Sequence, residues 1–68
     1  MKLIKDYICD DIIPTDEELL ECINIVNKEE NCIVRLNWHF YSGKYRLEIN
    51  KGATFEECKD KLPKSYPV

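Results

Sequence analysis

The sequence has little glycine, a single histidine and no closely spaced cysteines, and each shortage argues against a class of function. Gly43 and Gly52 are the only glycines, so the chain lacks a glycine-rich loop of the kind that cradles phosphate groups. The expected neighbours of His39, which are Arg46, Lys44 and Glu48, complete neither a catalytic triad nor a set of metal ligands. The four cysteines form no C-x-x-C pair, so the usual zinc spacing is absent. We therefore expect no enzyme, no cofactor and no metal site.

The length of 68 residues fits one small domain spanning residues 1–68. A chain of this size buries only about 60% of the surface that its unfolded form exposes, so its core is small. The 44% hydrophobic content argues against disorder. A catalytic cleft of the usual ~300–1,000 Å³ would remove much of such a core, which also favours a non-enzymatic protein.

The opening segment 1–6 reaches a charged residue before any apolar run develops. We therefore expect no signal peptide and no membrane span, and a cytoplasmic location. In a reducing compartment all four cysteines should remain thiols. Cys22, Cys32 and Cys58 also fall on predicted apolar faces, where cysteine behaves as a small buried hydrophobe.

A β-hairpin is predicted between Cys32 and Asn50, with Ser42-Gly43 as its two-residue loop. This loop pairs Tyr41 with Lys44. The following pairs join apolar residues on one face (Phe40–Tyr45, Trp38–Leu47, Leu36–Ile49) and polar residues on the other (His39–Arg46, Asn37–Glu48, Arg35–Asn50). A slip of one residue would set apolar side chains against charged ones, so burial of one face excludes it.

Two T-x-x-E motifs predict the starts of two helices. Thr15 and Glu18 begin a helix over residues 16–28, whose apolar positions recur at helical spacing. Thr54 and Glu57 begin a second helix, which Pro63 ends. Residues 63–68 are expected to form an extended tail.

The segment 2–9 allows two interpretations. Its apolar residues fit one face of a short helix, whereas a strand would add a third member to a hairpin that is marginal alone. We favour the strand. The order is then β-α-β-β-α, an α+β fold in which a single-layer antiparallel sheet, built around the central hairpin, carries both helices on one face.

Charge is unevenly distributed along the chain, whose net charge is −3. Residues 10–30 carry eight acids against one lysine, a balance of −7, and residues 31–52 carry four bases against one acid, a balance of +3. Several of these acids exceed what helix capping requires, and aromatic residues cluster near the hairpin tip. We expect a partner-binding surface among the following residues: Asp10, Asp11, Glu17, Glu21, Glu29, Glu30, Phe40, Tyr41 and Tyr45.

We interpret the protein as a non-enzymatic protein-binding module. The composition, rich in Lys, Ile, Glu and Asn, suggests an AT-rich genome, and a single domain this short is typical of phage or mobile-element genes. By this analogy we favour a stoichiometric inhibitor of a host protein, such as an anti-CRISPR or other anti-defence factor. Its target could be a nucleic-acid-binding protein, because acidic side chains can mimic phosphates.

Two alternatives stay open. One is a nucleic-acid-binding regulator that uses the basic sheet face of Arg35, His39, Lys44 and Arg46, against which the sequence pI near 5.0 argues. The other is a small homo-oligomeric structural protein, with dimerisation through a strand edge.

Overall fold

The computed structural model describes residues 2–10, 13–40 and 43–64, apart from the side chains of His39 and Phe40. Its elements are β1 (Lys2–Ile8), α1 (Asp16–Lys28), β2 (Cys32–Phe40), β3 (Gly43–Asn50) and α2 (Phe55–Lys61). The α+β class and the order β-α-β-β-α are confirmed, and so is the strand interpretation of the N-terminal segment. Of the predicted tail, residues 65–68 lie outside the described residues.

The three strands form one mixed sheet in the order β1-β2-β3. β2 and β3 are antiparallel, as expected of a hairpin, but β1 runs parallel to β2. The expectation of an entirely antiparallel sheet is therefore wrong for the first pair. The reason is the connection: α1 carries the chain back along the sheet before β2 begins, and a helical crossover between neighbouring strands makes them parallel.

The hairpin has a different register from the predicted one. Trp38 pairs with Tyr45, Leu36 with Leu47, and Phe40 with Gly43. Gly43 is thus the first residue of β3, and the two residues of the loop lie outside the described residues. The predicted pairing is wrong by two residues. Because a two-residue shift leaves every side chain on its original face, the apolar–polar pattern cannot distinguish the two registers.

Both helices cover the same face of the sheet and enclose one core. α1 packs on β2 and β3, and α2 packs on α1 and β3. The core contains Leu19, Cys22, Ile23 and Val26 from α1, Cys58 and Leu62 from the α2 region, Cys9 after β1, and Cys32, Val34, Leu36, Trp38, Leu47 and Ile49 from the sheet. All four cysteines are buried thiols. The burial of Cys9 was not anticipated from the sequence.

Both helices begin at the predicted residues, but the hydrogen bonds of their N-terminal caps differ. Thr15 and Glu18 form a reciprocal capping box at α1. At α2, the Thr54 hydroxyl accepts a hydrogen bond from the backbone N–H of Glu57 at 3.2 Å. The Glu57 carboxylate in turn accepts from that same hydroxyl, also at 3.2 Å. α2 ends at Lys61, two residues before Pro63.

A glycine fixes the connection between β3 and α2. Gly52 has φ +90°, a left-handed conformation that side chains disfavour. Its backbone N–H donates to the side-chain oxygen of Asn27 at 2.9 Å. The turn is thereby anchored to the last part of α1, which positions α2 beside α1.

Candidate protein-binding surface

The solvent-facing side of α1 brings together two of the predicted partner-binding acids. We call this surface the acidic face; it forms a shallow groove lined by Glu17, Leu20, Glu21, Asn24, Ile25 and Lys28. It lies opposite the apolar stripe that α1 buries in the core. The same amphipathic pattern that fixes the helix therefore also directs these side chains to solvent.

Leu20 is the unusual member of the acidic face. Leu20 lies within α1, in a domain with a packed core, yet 43% of its surface remains exposed. Glu17 and Glu21 flank it, one turn before and one residue after, and both are solvent-accessible. An apolar side chain ringed by charged groups is typical of a small protein contact, in which the apolar residue is buried and the charges form the rim.

Among the three acids in the first turn of α1, Glu17 differs in having no bonding partner among the described residues. Asp16 pairs with Lys59 of α2. Glu18 is held by the Thr15 backbone and by a hydrogen bond from the Cys9 thiol, which together lower the pKa of its carboxyl, the thiol being the larger cause. Within the described part of the chain, Glu17 makes neither a hydrogen bond nor an ion pair. Its charge is therefore available to a partner.

Glu21 is fixed in place by the neighbouring strand. Its carboxylate accepts a hydrogen bond from the Tyr7 hydroxyl at 3.0 Å. Partial burial raises the pKa of Tyr7, and the Glu21 carboxylate acts in the same direction. Tyr7 therefore stays a neutral donor at physiological pH and orients Glu21 without cancelling its charge.

Three other predicted acids, Asp10, Glu29 and Glu30, do not line this surface. Asp10 follows β1, near the start of α1, whereas Glu29 and Glu30 lie beyond its last residue. A helix of 13 residues is roughly 20 Å long, so Glu29 and Glu30 lie about that far from the first turn of α1. Asp11 lies outside the described residues. The described acids of this run are thus spread along α1 and do not form a single cluster.

Of the predicted aromatic patch, the structure describes the side chain of Tyr45 alone. Tyr45 is 43% exposed and stacks on Trp38 with ring centroids 6.1 Å apart. Trp38 itself is buried, as predicted. Ile8, 72% exposed, lines a small pocket together with these two rings. The Phe40 side chain and Tyr41, which were predicted to extend the patch, lie outside the described residues.

The sheet face that was expected to be basic is partly neutralised. Asp6 of β1 lies beside Arg35, with 3.9 Å between its Oδ1 and the guanidinium Nε, and Glu48 approaches the same guanidinium to 3.7 Å. Asn37 also donates to Asp6 at 3.3 Å. Arg35 therefore sits between two carboxylates, while Lys44 and Arg46 remain exposed on β3. The side chain of His39, the remaining residue predicted for this face, lies outside the described residues.

Sequence reasoning missed both Asp6 and Leu20. The position of Asp6 depends on the register between β1 and β2, which pairs it with Arg35 across a helical crossover. The helical spacing of apolar residues in 16–28 did not single out Leu20 as an exposed position. Its position one residue beyond Leu19, with acids on both sides, is a signal that could have identified it.

Searches for other kinds of site give negative results. Over the described residues, no group of three His, Cys, Asp or Glu side chains is arranged to hold a metal ion. No helix in that same part of the chain has the length and apolarity to span a membrane. Comparisons of the chain with protein-family models, curated proteins and solved structures give no match.

Proposed function

We propose that this protein is a small, non-enzymatic binding module that attaches stoichiometrically to a protein partner through the acidic face of α1. One observation carries the proposal: Leu20 is exposed between two carboxylates, of which one has no partner among the described residues and the other is held in position by Tyr7. A partner that fits this surface has an apolar pocket with a basic rim.

The class of partner follows from the charge. A basic patch is the electrostatic footprint of a nucleic-acid-binding protein, so a host protein of this kind is the target we propose. An inhibitor that occupies such a patch needs no catalytic group. The phage or mobile-element origin, and with it an anti-CRISPR or other anti-defence role, rests on amino-acid composition and is part of the same proposal.

Nucleic acid itself is the less favoured partner. Arg35 is flanked by Asp6 and Glu48, so the sheet face offers phosphate groups fewer unpaired cations than its sequence suggests. Tyr7 and Tyr45 belong to the opposite, helix-covered face, as their pairing with Leu36 and Trp38 requires. Sheets that bind single strands usually present stacking aromatics on the open face.

The test uses two variants, each with two acids replaced by lysine. Each variant is used to capture proteins from a host-cell lysate, and the captured proteins are identified by mass spectrometry. The first variant, Glu17→Lys with Glu21→Lys, alters the acidic face and changes the net charge of the protein from −3 to +1. Glu56→Lys with Asp60→Lys makes the same change, at the same spacing, on the exposed surface of α2. We expect the first variant to lose the captured protein and the second to retain it.

Two substitutions that leave the net charge unchanged test the other contacts of the acidic face. Tyr7→Phe removes only the hydroxyl that holds Glu21, so it should weaken capture slightly, whereas Leu20→Ala should weaken it strongly. Equal loss in both charge-reversed variants would show that bulk charge, and not the acidic face, governs binding. That result would overturn the proposal.

A further inference from the structure

The two edges of the sheet differ in their readiness to accept another strand. β1 forms one edge, and a bulge between Leu3 and Lys5 interrupts its pairing. A bulge in an edge strand discourages strand addition. β3 forms the other edge, and its pairing with β2 runs without a register shift. No other strand of the described chain pairs with β3, so its second row of backbone groups is open to a partner strand.

The residues of β3 alternate between two contrasting faces. Tyr45, Leu47 and Ile49 lie on the helix-covered face, and Leu47 and Ile49 are buried. Arg46 and Glu48 lie on the open face and are exposed. The Glu48 side chain keeps 47% of its surface exposed although it contacts Arg35, so it can meet a second cation.

We propose that a second copy of this chain pairs with β3, antiparallel, about a twofold axis at Leu47. A twofold axis perpendicular to the sheet keeps each residue on its own face and places the central residue opposite itself. Arg46 then faces Glu48 of the second copy, and Glu48 faces its Arg46. On the helix side Tyr45 faces Ile49, and Leu47 meets its own equivalent. The result is a continuous six-stranded sheet with helices on one side.

The charges select this axis over its neighbours. An axis at Arg46 or at Glu48 would set that residue against itself, with like charges directly opposed. An axis at Tyr45 would oppose Lys44 and Arg46. Directly opposed like charges are destabilising in antiparallel pairs, whereas opposite charges stabilise them. Among axes at residues 45 to 48, only Leu47 avoids a like-charge pair and forms two attractive ones.

Where α2 approaches the end of β3, an open groove of about 220 Å³ separates Glu48 and Asn50 from Glu57 and Lys61. α2 therefore flanks this edge without filling it. The acidic face of α1 points away from the sheet, so the dimer is independent of the proposed partner contact.

The test is the association state of the whole chain, measured by analytical ultracentrifugation from micromolar to millimolar concentration. We expect a reversible dimer. Arg46→Glu replaces two attractive pairs by two repulsive ones and should raise the dissociation constant about tenfold or more. Lys44→Glu makes the same charge change two residues away, opposite the neutral Asn50, and should leave the dimer nearly unchanged.

A mixing experiment identifies the register. Glu48→Lys alone should also weaken the homodimer, because the introduced lysine would face Arg46 of the second copy. Mixing the Arg46→Glu and Glu48→Lys proteins restores opposite charges at both positions, so a heterodimer should form. Amide exchange of β3 in the unmodified protein should slow as concentration rises, which requires no variant. A protein monomeric throughout this range, or equal weakening by Arg46→Glu and Lys44→Glu, would overturn the proposal.

Discussion

Replacing Trp38 by alanine tests the packing account of this domain. The side chain is 4% exposed and lies in the core between the sheet and the helices. Removing a buried tryptophan typically costs about 3–5 kcal/mol of unfolding free energy. At roughly 0.05–0.15 kcal/mol per residue, a domain of this length has only about 3–10 kcal/mol in total. We therefore expect Trp38→Ala to be largely or wholly unfolded at room temperature.

A second substitution separates volume from polarity at the same position. The indole N–H of Trp38 is buried, with no acceptor among the described residues. Trp38→Phe keeps an aromatic ring against Tyr45 and removes this unsatisfied donor. It should therefore lower the free energy of unfolding clearly less than Trp38→Ala does. Lys44→Ala, on the exposed face nearby, should change stability by no more than about 0.5 kcal/mol.

The assay is urea unfolding followed by far-ultraviolet circular dichroism, because substitution removes the only tryptophan and its fluorescence. An alanine variant within about 1 kcal/mol of the unmodified protein would refute the reasoning, since no large-to-small substitution of a packed core tryptophan is expected to be that mild.

Two further predictions concern the buried thiols. Intact-mass measurement on protein isolated under thiol-trapping conditions should give four alkylated cysteines after unfolding, and native protein should react slowly; a mass deficit of two or four hydrogens would contradict this. Burial raises the pKa of Cys22 to about 12 from 9.0, so the stability that its neutral form contributes is present below pH 9 and is lost as pH rises toward 12. Unfolding measured from pH 8 to 10.5 should show this decline, Cys22→Ala should show a shallower one, and identical slopes would argue against it.

Local signals explain what was predictable from the sequence. The capping motif at Thr15 and the apolar spacing after it define α1 at both ends, because a helix is built from contacts three and four residues apart. The same holds for the start of α2 at Thr54. The faces of the hairpin followed from alternation, and the burial of Trp38 followed from the face.

The remaining features depend on contacts that sequence pattern does not encode. The hairpin register differs by two residues, a shift to which alternation is blind. The parallel direction of β1 follows from the path of α1 across the sheet. Only this pairing brings Asp6 to Arg35, 29 positions later in the chain, and so changes the charge of the face that was expected to be basic.

The central claim is that the acidic face of α1 binds a protein. Its most direct test is a titration of the captured partner against the unmodified protein and both double charge-reversed variants, at low and at physiological salt. The account predicts that Glu17→Lys with Glu21→Lys weakens the complex, most at low salt, where screening is least, while Glu56→Lys with Asp60→Lys leaves the affinity close to that of the unmodified protein. Equal affinities for the two variants at both salt concentrations would contradict it.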